Sequence, residues 1–89
     1  MYSEVDSVYD LFVDTSGWIE IFGKAEPRHD EALEILIGAL KASRPIITTN
    51  YIIAEFVGLG EKKCRLSREA LLNAVDEIAN LPNSKICAY

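Results

Sequence analysis

Two carboxylates stand in settings that ordinarily exclude them. Asp14 closes the apolar run Leu11-Phe12-Val13, and Glu55 interrupts the apolar run Tyr51-Ile52-Ile53-Ala54-Glu55-Phe56-Val57. An acid in such a place loses hydration worth several kcal/mol unless something positive meets it. A cation held between two carboxylates and reached by a substrate phosphate is a recurring solution. Ile52, Phe56 and Leu59 share one face of a helix, and Glu55, at i+3 from Ile52, is expected in the middle of that face. Such an acid finds a cation, stays protonated or reaches a crevice with water. No lysine or arginine lies in that helix before Lys62, which makes a metal ion a candidate partner.

Asp14 follows a predicted strand, and acids at the carboxyl ends of strands are where open α/β sheets place their chemistry. Aspartate before a helix is also a standard N-cap. Thr15 and Ser16 can cap equally well, which weakens the purely structural explanation. Glu55 follows a second predicted strand, so both acids can project from one end of a parallel sheet. Magnesium suits such a pair, because it takes few protein carboxylates, keeps several waters and accepts substrate phosphate. A site of this kind asks for no histidine or cysteine. His29, beside Asp30 and Glu31, is expected at the surface. Cys64 and Cys87 have neither metal-ligand nor redox spacing and read as free thiols in a reducing compartment, with cytoplasm as the default location. The glycines are dispersed, so no phosphate-cradling loop is present, and nothing supports Ser-His-Asp chemistry.

The elements that must carry these acids can be traced along the 89 residues, a length for one small domain. Residues 1–10 form a polar, acidic leader without clear period. Residues 11–13 read as a buried strand, ended by Asp14-Thr15-Ser16-Gly17, where a helix begins with Trp18, Ile19, Ile21 and Phe22 as its packing residues. Over 28–43, Leu33, Leu36, Ile37 and Leu40 follow the spacing of one buried helix face. Arg44-Pro45 ends that helix. The β-branched run Ile46-Ile47-Thr48-Thr49 is a second strand. Thr49 or Asn50 caps a helix over 51–60 that runs out at Gly58 and Gly60. Ser67 caps a fourth helix with Leu71, Ala74, Val75 and Ile78 inward, and residues 85–89 form a third strand. Strands alternating with helices predict an α/β fold with a parallel sheet.

A formal charge of −5 argues against holding nucleic acid by bulk electrostatics. It does not exclude an enzyme that approaches phosphate through a metal. Lys62, Lys63, Arg65 and Arg68 cluster locally, as a solvated loop and helix start or as a contact patch for RNA or an acidic partner. No stretch approaches the ~20 apolar residues of a membrane span, and the acidic start is unlike a secretory signal.

Phe12-Val13-Asp14-Thr15-Ser16, followed by Ile46-Ile47-Thr48-Thr49-Asn50-Tyr51-Ile52-Ile53-Ala54-Glu55, resembles the first half of a PIN domain, with the VapC-type toxins of toxin–antitoxin pairs as the nearest group. The motifs are short and specific only together with the order of elements, which matches from Leu11 to Tyr89. The resemblance implies a three-layer α/β fold with a short parallel sheet flanked by helices. It implies that Asp14 and Glu55 are catalytic acids binding Mg2+ or Mn2+, with Thr15, Ser16 and Asn50 lining the site. Members cleave RNA with metal-activated water and are held inactive by a cognate antitoxin, so RNA and an antitoxin protein are the expected partners.

One departure stands out. The family's other acids lie on a later helix and after a later strand, beyond Tyr89, and Asp76 and Glu77 fall in the wrong element to replace them. A truncated domain with half of its acidic site is therefore expected. The strand carrying Asp14 is expected to be an open edge, which implies a homodimer or completion by a partner. Three readings follow: an endoribonuclease needing acids from elsewhere, an inactive remnant that binds an antitoxin or an intact relative, and an α/β interaction module in which Asp14 is a cap and Glu55 reaches solvent.

Overall fold

The computed structural model of the chain describes residues 2–5 and 10–88, with the backbone alone for residues 2–5. Its elements run β1 (Tyr2–Val5), β2 (Asp10–Val13), α1 (Thr15–Phe22), α2 (His29–Lys41), β3 (Ile46–Thr49), α3 (Asn50–Lys63), α4 (Arg68–Ala79) and β4 (Ser84–Cys87). The sheet has the order β1-β2-β3-β4. The pairs β2/β3 and β3/β4 are parallel, so each needs a crossover, and each crossover is a pair of helices. The result is a small α/β fold whose parallel strands are flanked by four helices.

Each helix that follows a strand starts on a side-chain cap. Asp14 accepts from Gly17 N–H at 3.1 Å and Thr49 from Ile52 N–H at 3.0 Å, while Ser67 accepts from Ala70 N–H at 3.1 Å. Such caps satisfy one of the amides that a helix start leaves without a partner. One hydrophobic core joins the layers. Leu11, Val13 and Ile46 come from the sheet, and Trp18, Phe56, Leu71 and Ile78 from the helices, all fully buried. Trp18, Phe22 and Phe56 form a tilted ring stack across α1 and α3, with centroids 6.3 and 5.7 Å apart.

The structure departs from the sequence reading in four places. Ile37, expected on the inward face of α2, is 46% exposed, because that face is turned toward the small residues Ala32 and Ala39, which are buried with Leu36. Residues 2–5, within the expected leader, form β1, antiparallel to β2 with Tyr2 opposite Val13 and Val5 opposite Asp10. The strand before Asp14 therefore has a neighbour on each side and is not an open edge. The helix expected to run out at Gly58 and Gly60 continues to Lys63. It is closed instead by Arg65 in the left-handed region (φ 51°), with Leu66 N–H donating to the Gly60 carbonyl at 3.2 Å. The third strand ends at Cys87. Residues 1 and 6–9 of the expected leader, and Tyr89, lie outside the described residues.

Candidate functional site

β2 and β3 end side by side, and each hands the chain directly to a helix. Asp14 occupies the junction after β2 and is partly buried. Its Oδ1 caps α1, and its own carbonyl accepts from Trp18 N–H at 3.1 Å. The cap role is thus realised, but one cap bond does not exhaust the acceptor directions of a carboxylate. Thr15, the next residue, donates its hydroxyl to Glu55 Oε1 at 2.8 Å. That bond spans α1 and α3 and brings the second acid to the end of the sheet where Asp14 stands.

Glu55 is exposed rather than set in the core face. The buried residues of α3 are Phe56 and Gly60, and Glu55 lies about 100° around the helix from Phe56. The inward face had been centred on the large residues, whereas its tightest point is a glycine. A Cβ at Gly60 would stand 2.4 Å from Leu71 Cδ2, so α4 packs there against bare backbone. Of the three fates open to this acid, the structure realises the one with access to water.

Ser16 is exposed and borders a cavity of about 220 Å3 with Ile19, Leu59 and Lys63. Asn50 is the exposed first residue of α3, and the cap there is Thr49. The basic cluster does not form one patch. Lys63 and Arg65 line a cavity of about 660 Å3 floored by Phe22, Leu66 and Ala74, Arg68 pairs with Glu61 at 3.7 Å, and Lys62 sits exposed in the last turn of α3. Lysines in a last turn also complement the helix dipole. Cys64 lines the same cavity, where burial pushes its thiol above the usual range, the Glu26 carboxylate adds to the rise and Lys63 opposes it. His29 is half-buried rather than surface-bound: its Nδ1 lies 2.8 Å from the Glu20 carbonyl, near the carboxyl end of α1.

Two residues that sequence reasoning treated only as strand and packing positions belong to the site's frame. Trp18 Nε1 donates to Thr48 Oγ1 at 3.0 Å, and Thr48 Oγ1 donates to the Val13 carbonyl at 3.0 Å, all of it buried. A lone buried tryptophan needs an acceptor for its N–H, and that requirement was the available signal.

Carboxylate and hydroxyl oxygens are hard donors of the type that Mg2+ and Mn2+ accept. Asp14, Glu55 and Ser16 fit such an ion chemically. Among the described residues, no group of three or more histidines, cysteines, aspartates or glutamates is placed to hold a metal.

No protein-family model and no curated protein matches the sequence. Among solved structures, the chain is similar to Mycobacterium tuberculosis VapC20, a sarcin–ricin loop cleaving toxin, with a TM-score of 0.65 and 24% identity. The match covers 86% of this chain and 55% of that one, so this chain spans about half the length of the toxin it resembles. The fold is PIN-like, as the residue pattern around Asp14 and Glu55 implied. No described helix is long and apolar enough to cross a membrane.

Proposed function

We propose that this chain carries part of the metal site of a PIN-type endoribonuclease, the toxin of a toxin–antitoxin pair, with Asp14 and Glu55 as its acids and Mg2+ or Mn2+ as its cofactor. The observation that carries the reading is the Thr15–Glu55 hydrogen bond, which brings the acid of α3 to the end of β2 where Asp14 stands. The PIN-like fold adds support, since a toxin with that fold cleaves the sarcin–ricin loop.

A divalent ion at this position supplies Lewis-acid stabilisation of phosphate charge and a nucleophilic water at neutral pH. The chain's own residues prepare that place. The cap bond to Gly17 fixes the Asp14 carboxylate against the first turn of α1, so it presents oxygen without a rotamer search. Thr15 restrains Glu55, an exposed side chain that would otherwise sample many rotamers. Ser16, exposed in the first turn of α1, is the further hydroxyl that the family resemblance assigns to the site. With a net charge of −5, the protein cannot gather RNA by bulk attraction, so contact relies on the site and on local cations such as Lys63 and Arg65. The cognate antitoxin and a cytoplasmic setting complete the proposal; the case for a second copy made from an open edge falls with the pairing of β1.

The test titrates the full chain with Mn2+ and follows paramagnetic broadening of amide resonances. Residues 14, 15 and 55 should broaden first, and Asp14→Asn and Glu55→Gln should both lose the effect. Asparagine caps as well as aspartate, so Asp14→Asn leaves α1 intact. Identical broadening in all three proteins would end the metal reading. An RNA hairpin assay under the same conditions separates the two functional versions. Metal-dependent cleavage marks an enzyme. Metal binding without cleavage marks a binding module.

A further inference from the structure

We infer that the buried hydroxyl of Thr48 is the positioning residue that sets Asp14 relative to Glu55, with Trp18 as its clamp. This rests on the proposed metal site, and it assigns a role to residues that touch neither metal nor substrate.

The geometry begins in the sheet. The parallel register of β2 and β3 runs Leu11↔Ile46 and Phe12↔Ile47 and stops there, although one further step would pair Val13 with Thr48. At that step the Val13 carbonyl takes its hydrogen bond from the Thr48 hydroxyl, at 3.0 Å. Val13 directly precedes Asp14, so this bond holds the peptide from which the first acid projects. Thr48 directly precedes Thr49, the cap of the helix that carries Glu55. A single hydroxyl therefore spans the two strand-to-helix junctions that bear the two acids.

The indole makes the arrangement directional. A threonine hydroxyl has one proton and two lone pairs. With Trp18 Nε1–H donating into it at 3.0 Å, its own proton is committed to Val13. Trp18 is itself tied to Asp14, since its backbone N–H donates to the Asp14 carbonyl at 3.1 Å. The loop closes on itself: Asp14 holds Trp18, Trp18 holds Thr48, and Thr48 holds the residue before Asp14. Thr48 is 1% exposed and Trp18 0%, so water offers neither group a substitute partner. Groups that hydrogen-bond a metal ligand directly are worth about 10–100-fold in affinity, and Thr48, one peptide further out, should act near the lower end of that range.

The test compares wild type, Thr48→Val, Thr48→Ser and the core control Ile78→Ala, each as the full chain. Mn2+ affinity is read by paramagnetic broadening, and fold by circular dichroism. Thr48→Val should bind Mn2+ about 10-fold more weakly with helix content retained. Thr48→Ser, which keeps the hydroxyl, should bind close to wild type, and Ile78→Ala should lose stability without a change in affinity. The indole resonance of Trp18, the only tryptophan, should shift in Thr48→Val and return in Thr48→Ser. Wild-type affinity in Thr48→Val would overturn the inference while leaving the metal site standing. If wild type itself binds no Mn2+, the functional reading fails, and positioning is decided without metal. Nuclear Overhauser contacts between Thr15 and Glu55 should then persist in Thr48→Ser and vanish in Thr48→Val; their survival in Thr48→Val overturns it. Should Thr48→Val not fold, Trp18→Phe removes the same clamp, with the same outcomes on Mn2+ affinity and on the Thr15–Glu55 contact.

Discussion

Gly58 and Gly60 stand two residues apart in α3, yet replacing each with alanine should push stability in opposite directions. Glycine in a helix interior costs about 1 kcal/mol relative to alanine, because it surrenders more backbone freedom. At Gly58 a Cβ would meet nothing within 4 Å, so the whole of that gain should be kept. For a domain of this size, about 1 kcal/mol corresponds to a rise of about 4–8 °C in Tm. At Gly60 the same intrinsic gain meets Leu71 Cδ2 at 2.4 Å, and Leu71, 0% exposed, would have to shift within the core. Overpacking of that kind costs about 1–3 kcal/mol, so Gly60→Ala should be neutral to destabilising by about 2 kcal/mol. The assay is urea unfolding of both variants beside wild type, with m-values compared to confirm an unchanged denatured state. A neutral or harmful Gly58→Ala would place the end of the helix before residue 58. A stabilising Gly60→Ala would show that α4 does not approach α3 at that point. Either result refutes the packing that carries Glu55 outward.

Two further outcomes can be measured with little effort. Ser67→Ala removes the cap of α4 and should cost about 1 kcal/mol, read as a lower urea midpoint at unchanged m; no change would mean that the cap bond is not formed in solution. Burial, then Glu26, raises the Cys64 thiol, so the folded protein holds its proton to higher pH than the unfolded chain does. Less thiolate is then present at mildly alkaline pH, stability falls as pH climbs above the ordinary thiol range, and Glu26→Gln should speed alkylation of Cys64. Equal alkylation rates in wild type and Glu26→Gln would dismiss the carboxylate's part.

Much of the architecture could be read from local chemistry. The helix over 28–43 and the helix from Ser67 announce themselves through apolar spacing, and α2 and α4 occupy His29–Lys41 and Arg68–Ala79. The β-branched run at 46–49 coincides with β3. β1 was not legible because pairing is a property of two segments. Tyr2-Ser3-Glu4-Val5 has no strong period, and Asp6-Ser7-Val8-Tyr9 contains none of the Asn-Gly or Gly-rich signals of a tight hairpin. Glu55 was misplaced for a related reason. A hydrophobic count gives glycine no weight, yet Gly60 is the point of closest helix approach and rotates the buried face away from the acid. The cap expected of Asp14 is formed with Gly17, and its part as a metal ligand belongs to the proposal. Thr48 was hidden because its partners lie 30 and 35 residues away in sequence.

The antiparallel register of β1 bears on how the protein is handled. Tyr2 lies opposite Val13, so β1 begins at the end of the sheet where Asp14 stands. An affinity tag of histidines fused ahead of Met1 would be tethered to that end of the sheet through a single residue before Tyr2. Its imidazoles would compete for the same Mn2+ and counterfeit the affinity being measured. Removing such a tag, or confirming that titrations are unchanged by its cleavage, decides whether a measured metal affinity belongs to Asp14 and Glu55 at all.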